Sequence, residues 1–231
     1  MRSFSRLSLL CALVLNASVC IARAQSVTPM ISEYTGRAEG SFEVTNSSLA
    51  PAVVVLEPKS FSIDPDGTGQ FRDLDPVIHL QLSSTSLRLQ PRQSARIFYK
   101  VSADSLPAWL CIYASFSPLK KVPGVNVRVM LPHTVYVYQP EPLARASIQI
   151  TNVHFDSASH RVLCELDNTS SLAGRAVAAE VTGKHAFNST GGFPVLPRQH
   201  RLLSIEWTSE QPPQSLDIVF DHFSLKLPIP E

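Results

Sequence analysis

The chain has 231 residues, of which 20 are Lys or Arg and 19 are Asp or Glu, so its formal net charge is +1. Hydrophobic residues make up 44% of the sequence, which is enough to build one large core or two smaller ones. Such a balanced charge provides no basic field, so we expect no nucleic-acid partner.

The first 24 residues have the parts of a secretory leader. Arg2 and Arg6 precede an apolar run over residues 7–20, and Ala22-Arg23-Ala24 has the small-x-small pattern of a cleavage site. We therefore predict that residues 1–24 are a removed signal peptide and that the mature chain, with 17 basic and 19 acidic residues, is exported. No later segment approaches the ~20 apolar residues of a membrane span, so the sequence predicts no integral membrane segment.

Two cysteines, Cys111 and Cys164, remain after the leader. Export makes a disulfide chemically possible. However, the two residues fall in different predicted domains, and each lies in an apolar strand pattern. The sequence therefore favours two buried free thiols.

Short apolar or alternating segments, separated by turn residues, follow one another through the first half of the chain. The sequence Asp64-Pro-Asp-Gly-Thr-Gly is typical of a turn. It does not predict a calcium site, because Thr68 stands at a ligand position and no glutamate closes a twelve-residue loop. Seven strands in this arrangement, with no competing helical pattern, predict an immunoglobulin-like sandwich. The predicted strands cover residues 27–34, 41–45, 53–56, 77–82, 86–89, 97–101 and 110–116.

A longer strand is predicted over residues 124–138. Strict alternation places four apolar side chains on one side of it, those of Val125, Val127, Val129 and Leu131. The other side would carry Asn126, Arg128 and Met130. A long apolar edge promotes aggregation unless it is covered. This strand is therefore either paired with a second protein or hidden by the fold.

The segment Gln139-Pro-Glu-Pro is a stiff connector that no helix can include, and we predict a domain boundary there. The first domain would span residues 25–139 and the second residues 143–231. The second also has alternating patterns and turn residues, so the predicted fold class is all-β, with two immunoglobulin-like sandwiches in tandem. Its predicted strands cover residues 146–151, 161–166, 176–182, 201–207 and 215–220.

No motif in the sequence predicts catalysis, a metal site or a bound cofactor. Trp109 and Trp207 lie in strand-like segments and are expected in the core. The seven histidines are scattered without a metal-binding spacing, so each is expected to be an ordinary surface or strand residue. They are His79, His133, His154, His160, His185, His200 and His222.

Several short segments together resemble the PapD-like family of periplasmic pilus-assembly chaperones. They are Val27-Thr-Pro, Phe42-Glu-Val-Thr-Asn, Ser86-Leu-Arg-Leu-Gln-Pro-Arg-Gln-Ser with Ile97-Phe-Tyr-Lys-Val, and Val135-Tyr-Val-Tyr-Gln-Pro. The resemblance implies two immunoglobulin-like domains that meet at an angle. It also implies that the last strand of the first domain lends alternating side chains to a subunit that lacks one strand.

The resemblance also implies two basic residues in the interdomain cleft that hold the terminal carboxylate of the subunit. Counting from Gly36 and Pro140 places these positions at Ile31 and Val135, which are both apolar and which we expect to face each other. A carboxylate buried against them would lack a partner. If a carboxylate is still captured, Arg128, Arg145 or Lys121 must hold it.

Counting back from Pro140 also places the family's donor positions at Asn126, Arg128 and Met130 rather than at the valines. A bulge at Pro132 and His133 would return the valines to the outer face. Both alternatives are open at the level of the sequence.

The resemblance thus implies a noncatalytic periplasmic chaperone of pilus or surface-fibre subunits, which binds them by donor-strand complementation. Its partners would be such a subunit and possibly an outer-membrane usher. The alternative is a noncatalytic PapD-like structural or binding module that does not use strand exchange. The alternating long strand favours the chaperone, and the missing basic residues favour the module.

Overall fold

A computed structural model describes residues 25–119 and 127–230. The predicted signal peptide lies outside the described residues. The all-β prediction is confirmed, because two β-sandwiches follow one another along the chain. No helix in the described ranges is long and apolar enough to cross a membrane.

The first sandwich contains ten strands in two sheets. Sheet 1 has the strand order β1-β3-β8-β6, and sheet 2 has the order β2-β10-β9-β4-β5, with β7 also paired to β4. Among the described strands of this sandwich, β2 and β10 are the parallel pair and the others are antiparallel. The strands are β1 (Ser26–Thr28), β2 (Ile31–Thr35), β3 (Ala38–Thr45), β4 (Ala52–Ile63), β5 (Gly69–Asp73), β6 (Ile78–Leu82), β7 (Ser86–Leu89), β8 (Ser94–Ala103), β9 (Ala108–Pro118) and β10 (Val129–Tyr138).

The core of this sandwich follows from the period-two alternation of its strands. On β9, every second side chain from Ala108 to Phe116 packs between the sheets, and Val135 and Val137 of β10 meet them there. The intervening side chains of both strands lie on the outer face of sheet 2. This parity decides which residues of β10 can reach a partner.

The single strand predicted over residues 27–34 is wrong, because the chain changes sheets there. Val27 pairs with Val44 of β3 in sheet 1, whereas Ile31 pairs with Thr134 of β10 in sheet 2. Pro29 stands at the crossing and has no N–H to give to either ladder. Continuous apolar alternation therefore conceals two short strands.

The second sandwich has one sheet of order β11-β12-β15 and a second of order β14-β13-β16-β17. Trp207 is buried in its core as predicted, and its Nε1–H donates to the Gln211 carbonyl at 2.7 Å. A 3-10 turn, Arg145–Ser147, precedes the first strand. The strands are β11 (Ile148–Asp156), β12 (Arg161–Asn168), β13 (Gly174–Thr182), β14 (Phe187–Val195), β15 (His200–Glu206), β16 (Ser215–Phe220) and β17 (Ser224–Pro228).

The two sandwiches meet at the outer face of sheet 2. An apolar cluster joins Phe61, Cys111 and Tyr136 of the first domain to Leu196 of the second. The Leu202 amide also donates to the Pro65 carbonyl at 2.7 Å, so the predicted turn after β4 docks on the second domain. The contacts between the domains are therefore both apolar and hydrogen bonded.

The connector is held by the second domain. The Gln139 amide group is buried, where it donates to the carbonyls of Glu141 and Ala173 and accepts from the Ala173 N–H. Pro140, Glu141 and Pro142 are exposed. The proline-rich segment is thus anchored at its first residue and open to solvent after it.

Candidate functional site: the open edge of β10 and the interdomain cleft

The two halves of β10 have different neighbours. The strand pairs with β9 without a break from Val129 to Val137. Its pairing with β2 begins only at Thr134 and continues to Tyr138. Within the described part of the chain, Val129–His133 is therefore paired on one side only, and we call this segment the open edge.

The direction of the backbone groups follows from the hydrogen bonds to β2. The Thr134 N–H donates to the Met30 carbonyl at 2.7 Å, and the Tyr138 carbonyl accepts from the Gly36 N–H at 2.9 Å. Even-numbered residues of β10 thus direct their backbone groups toward β2, and odd-numbered residues bond to β9. On the open edge, Met130 therefore presents both its N–H and its carbonyl, while Pro132 presents only a carbonyl.

The side chains of the predicted partner strand alternate across this edge. Val129 and Leu131 point inward and pack, partly buried, against the core of their own domain. The unbroken register with β9 shows that the alternative of a bulge at Pro132 and His133 is wrong. The odd-numbered valines therefore face the interior rather than the outer face of sheet 2.

Val127 differs from the other predicted partner residues because it precedes β10 and is 63% exposed. With Val129 and Phe116 it lines an open cavity of about 440 Å³ at the end of the first sandwich. Val125 lies outside the described residues, as does Lys121. Among the four residues predicted for the partner surface, Val127 is thus an exposed apolar side chain next to the open edge.

The outer-face residues at the start of β10 are Arg128 and Met130. Met130 is 45% exposed and lies on the face that also carries Ile31. Arg128 forms an ion pair with Glu57 of β4, and its Nη2 also donates to Ser115 Oγ at 2.9 Å. Its guanidinium is therefore occupied within the first domain.

The expectation that Ile31 and Val135 face each other is wrong. Ile31 pairs with Thr134, so its side chain lies on the outer face of sheet 2, where it is 45% exposed. Val135 is the next residue along β10 and is fully buried between the sheets. Neighbouring strand residues point to opposite faces, so these two positions cannot form a pair.

The cleft between the domains contains an ionic contact that the sequence did not reveal. The Tyr138 hydroxyl donates to Glu33 Oε1 at 2.7 Å, and Arg175 Nη1 lies 3.5 Å from the same oxygen. Burial raises the pKa of Tyr138, and its hydrogen bond to Glu33 raises that pKa further. These residues line a cavity of about 300 Å³ that also includes Gln139 and His222.

Arg175 is therefore the arginine on the lining of the cleft. Arg128 lies at the start of β10, and Arg145 is exposed in the 3-10 turn, so neither lines this cavity. No motif marks Arg175, because it stands in an ordinary alternating strand, β13, of the second domain. Only the docking of the two domains brings it to Glu33.

Burial at the domain contact also shifts the pKa values of other polar groups. Arg201 stacks over the Phe193 ring at 4.5 Å, and burial lowers the pKa of its guanidinium. Burial raises the pKa of Tyr136 to about 12 and that of the Cys111 thiol to about 11. Cys111 and Cys164 are both free and buried, as predicted. A raised pKa keeps the Cys111 thiol protonated at neutral pH, which does not favour a reactive cysteine.

His133 is the buried polar residue of β10. Its ring stacks on Phe42 at 4.4 Å, and its Nδ1 lies 2.8 Å from the Pro29 carbonyl. Nε2 is buried without a hydrogen-bond partner. Burial lowers the pKa of His133, which the bond to Pro29 partly offsets. The neutral ring therefore joins the open edge to the crossing between the two sheets.

Across residues 25–119 and 127–230, no group of three or more His, Cys, Asp or Glu side chains is placed to hold a metal ion. The features with a consequence for binding are a one-sided strand and a cleft beside it.

Comparison with known proteins connects this geometry with a class of protein. No protein-family model and no curated protein matches the chain. Solved chaperone structures match its fold. The YadV chaperone has a TM-score of 0.53 at 9% identity, covering 89% of this chain and 100% of its own. The E. coli chaperone DraB has a TM-score of 0.51 at 12% identity, covering 89% and 98%.

A third match comes from a complex of Salmonella enterica SafA pilin with the SafB chaperone. It has a TM-score of 0.52 at 10% identity and covers 89% of this chain and 96% of the matched chain. The protein thus shares the two-domain fold of these chaperone structures. The resemblance predicted from the sequence is confirmed at the level of the fold.

Proposed function

We propose that this protein is a noncatalytic periplasmic chaperone that binds pilus or surface-fibre subunits by donor-strand complementation, in which β10, the last strand of the first domain, pairs with a subunit that lacks one strand. The observation that carries the proposal is the open edge, Val129–His133, which is paired only with β9. The fold supports it, since one matched structure is a complex of a pilin with a chaperone. An outer-membrane usher would be a further partner.

Strand addition explains how such an edge would bind. Main-chain hydrogen bonds supply affinity, and pockets for alternate side chains supply specificity. Met130 offers two backbone groups, and the exposed side chains of Met30, Ile31 and Met130 lie along the same edge. Each apolar side chain that a subunit buries fully would contribute roughly 1.5–3 kcal/mol.

The predicted partner strand, Val125, Val127, Val129 and Leu131, remains part of this proposal. Val127 is the described member with the most side-chain surface to offer. Val129 and Leu131 would act mainly through their backbone, because their side chains already pack on the first domain. The outer face of the strand would contribute Met130.

Capture of a subunit's terminal carboxylate in the cleft remains a separate prediction. Arg128 is already paired with Glu57, and Arg145 does not line the cavity. Arg175 is placed to take that role, but Glu33 already occupies it. A captured carboxylate would therefore have to compete with the protein's own.

A proline at position 130 tests strand addition directly. Met130→Pro removes an N–H that points to the open edge and leaves the hydrogen bonds to β9 intact, so the free protein should stay folded. Co-purification with a subunit that lacks one strand should be lost. Met130→Ala, which keeps the N–H, should retain most of the binding. Leu131→Pro is the control that breaks a bond to β9 and should destabilise the free protein.

The second candidate is a structural or binding module that contacts its partner without strand exchange. The observation that favours it is the inward direction of Val129 and Leu131. Their side chains already pack against the core of the first domain, so they leave little apolar surface for a partner to contact. Under this candidate, Met130→Pro would bind the partner as well as the wild type does. That result, with a folded variant, would overturn strand addition.

A further inference from the structure

One side chain connects the residue just before β10 to the neighbouring strands of sheet 2. Arg128 immediately precedes the strand, and its Nη2 donates to Ser115 Oγ of β9 at 2.9 Å. The same nitrogen contacts the Glu57 carboxylate of β4 in an ion pair. Ser115 is buried, although its side chain lies on the outer face of sheet 2.

The direction of this side chain is set by the strand order. Sheet 2 runs β2-β10-β9-β4, so Glu57 stands two strands away from Arg128, on the side opposite to the open edge. The guanidinium therefore extends back over β9 and does not point to the position of an incoming strand.

We infer that Arg128 is a positioning residue. Its contacts with Ser115 and Glu57, which we call the staple, hold the first residues of the open edge to the sheet before a partner arrives. Its importance for binding rests on the proposed function, whereas the staple itself does not. A strand paired on one side frays at its end, and fixing the backbone of each residue during binding is costly. Holding the edge in extended form reduces that cost.

The contact differs from an ordinary surface ion pair in one respect. Exposed pairs usually contribute little, because water screens them and both side chains lose freedom. Here Arg128 also satisfies a buried hydroxyl, which would lose its partner if the arginine were absent. The staple should therefore affect the local opening of the strand end more than the global stability of the domain.

Hydrogen exchange tests the staple without a partner. The amides of Val129 and Leu131 bond to β9, so their exchange reports on detachment of the strand end. Arg128→Gln and Glu57→Ala should each raise their exchange rates by about twofold to fivefold. The double variant should add little to Arg128→Gln, because that substitution already removes the ion pair with Glu57. Lys100→Gln, which breaks a comparable pair with Glu39 on sheet 1, should leave these amides unchanged.

Binding to a subunit then separates positioning from direct recognition. If Arg128 positions the edge, Arg128→Gln should weaken binding, and Glu57→Ala should weaken it in the same direction but by less, because the bond from Arg128 to Ser115 remains. If Arg128 instead recognised an acidic partner, removal of Glu57 would free it and strengthen binding, which would overturn the inference. Unchanged exchange in both variants would also overturn it. Failure of the wild type to bind any subunit would count against the proposed function, while the exchange result would still test the staple.

Discussion

The two halves of β10 share one strand and one alternating pattern, yet among residues 25–119 and 127–230 only one of them has a side without a paired strand. Thr134–Tyr138 lies between β2 and β9, whereas Val129–His133 pairs with β9 alone. Inward-facing side chains are apolar or aromatic in both halves, so apolarity does not distinguish them. Pairing does, and it is set where the chain crosses from β1 to β2 near Pro29. The position at which a neighbouring strand begins can therefore decide which part of a strand is left open to a partner.

The largest expected effect comes from placing the same negative charge at a buried position and at an exposed position of this region. Val135→Asp puts a carboxylate into a fully buried core position and should cost more than ~3–5 kcal/mol, enough to unfold the first domain. Val127→Asp alters a side chain that is 63% exposed and should leave the protein folded. Thermal melts followed by circular dichroism measure both. Equal destabilisation of the two variants would show that Val127 also belongs to the core.

A folded Val127→Asp variant then tests the apolar surface next to the open edge. The added charge should weaken co-purification with a subunit if Val127 enters an apolar groove. Normal co-purification would remove Val127 from the partner surface and leave that role to Met130 and the backbone.

A smaller effect on the free energy of unfolding is expected from pH, because His133, the last residue of the open edge, is a buried titratable group. Its pKa is lowered in the folded state, so the unfolded chain binds the proton more readily. The stability that the neutral ring provides is complete above pH ~6.5 and is lost as the pH falls through 6.5 toward the lowered pKa. The slope should not exceed about 1.4 kcal/mol per pH unit for this one group.

Urea unfolding between pH 7.5 and pH 5 measures this slope. His133→Phe keeps a ring against Phe42 and has no proton to bind, so the pH dependence should flatten. His154→Gln, which changes an exposed histidine, should retain the wild-type slope. A His133→Phe variant with an unchanged slope would assign the pH dependence to other groups.

A local effect is expected where the second half of β10 enters the connector. Gln139→Ala removes the buried hydrogen bonds to Glu141 and Ala173 and should cost about 1–3 kcal/mol. Calorimetry should show the two domains separating into distinct transitions, and limited proteolysis should cut faster at residues 139–142. Gln149→Ala, at an exposed position, is the control. Cleavage only at the chain ends in both variants would show that the joint does not depend on Gln139.

The sequence predicted the fold class well because most strands of both cores have strong alternation. Strands β8 and β9 were recognised from side chains that alternate about the core. Strands β5, β14 and β17 were missed, since they lie at sheet edges where exposed and small residues weaken the pattern. Local composition cannot show which strands become edges.

The site was predicted less completely, for a physical reason that Ile31 illustrates. Counting along the chain gave its position relative to Gly36, but the face of its side chain depends on the parallel pairing with β10. Arg175 and Glu33 are 142 residues apart and meet only after the domains dock. Pairing and docking depend on distant segments, so a pattern read along a single strand cannot supply them.

Pro132 gives the open edge a limited length. An incoming strand finds a donor at Met130, but at the next even-numbered position it meets a carbonyl without an N–H. Beyond that point β2 already occupies the ladder. Because the available ladder is short, it offers a poor template for the repeated stacking of identical strands that builds insoluble fibrils. The same residue that shortens the edge for a partner should therefore also disfavour edge-to-edge association between copies of the protein at high concentration.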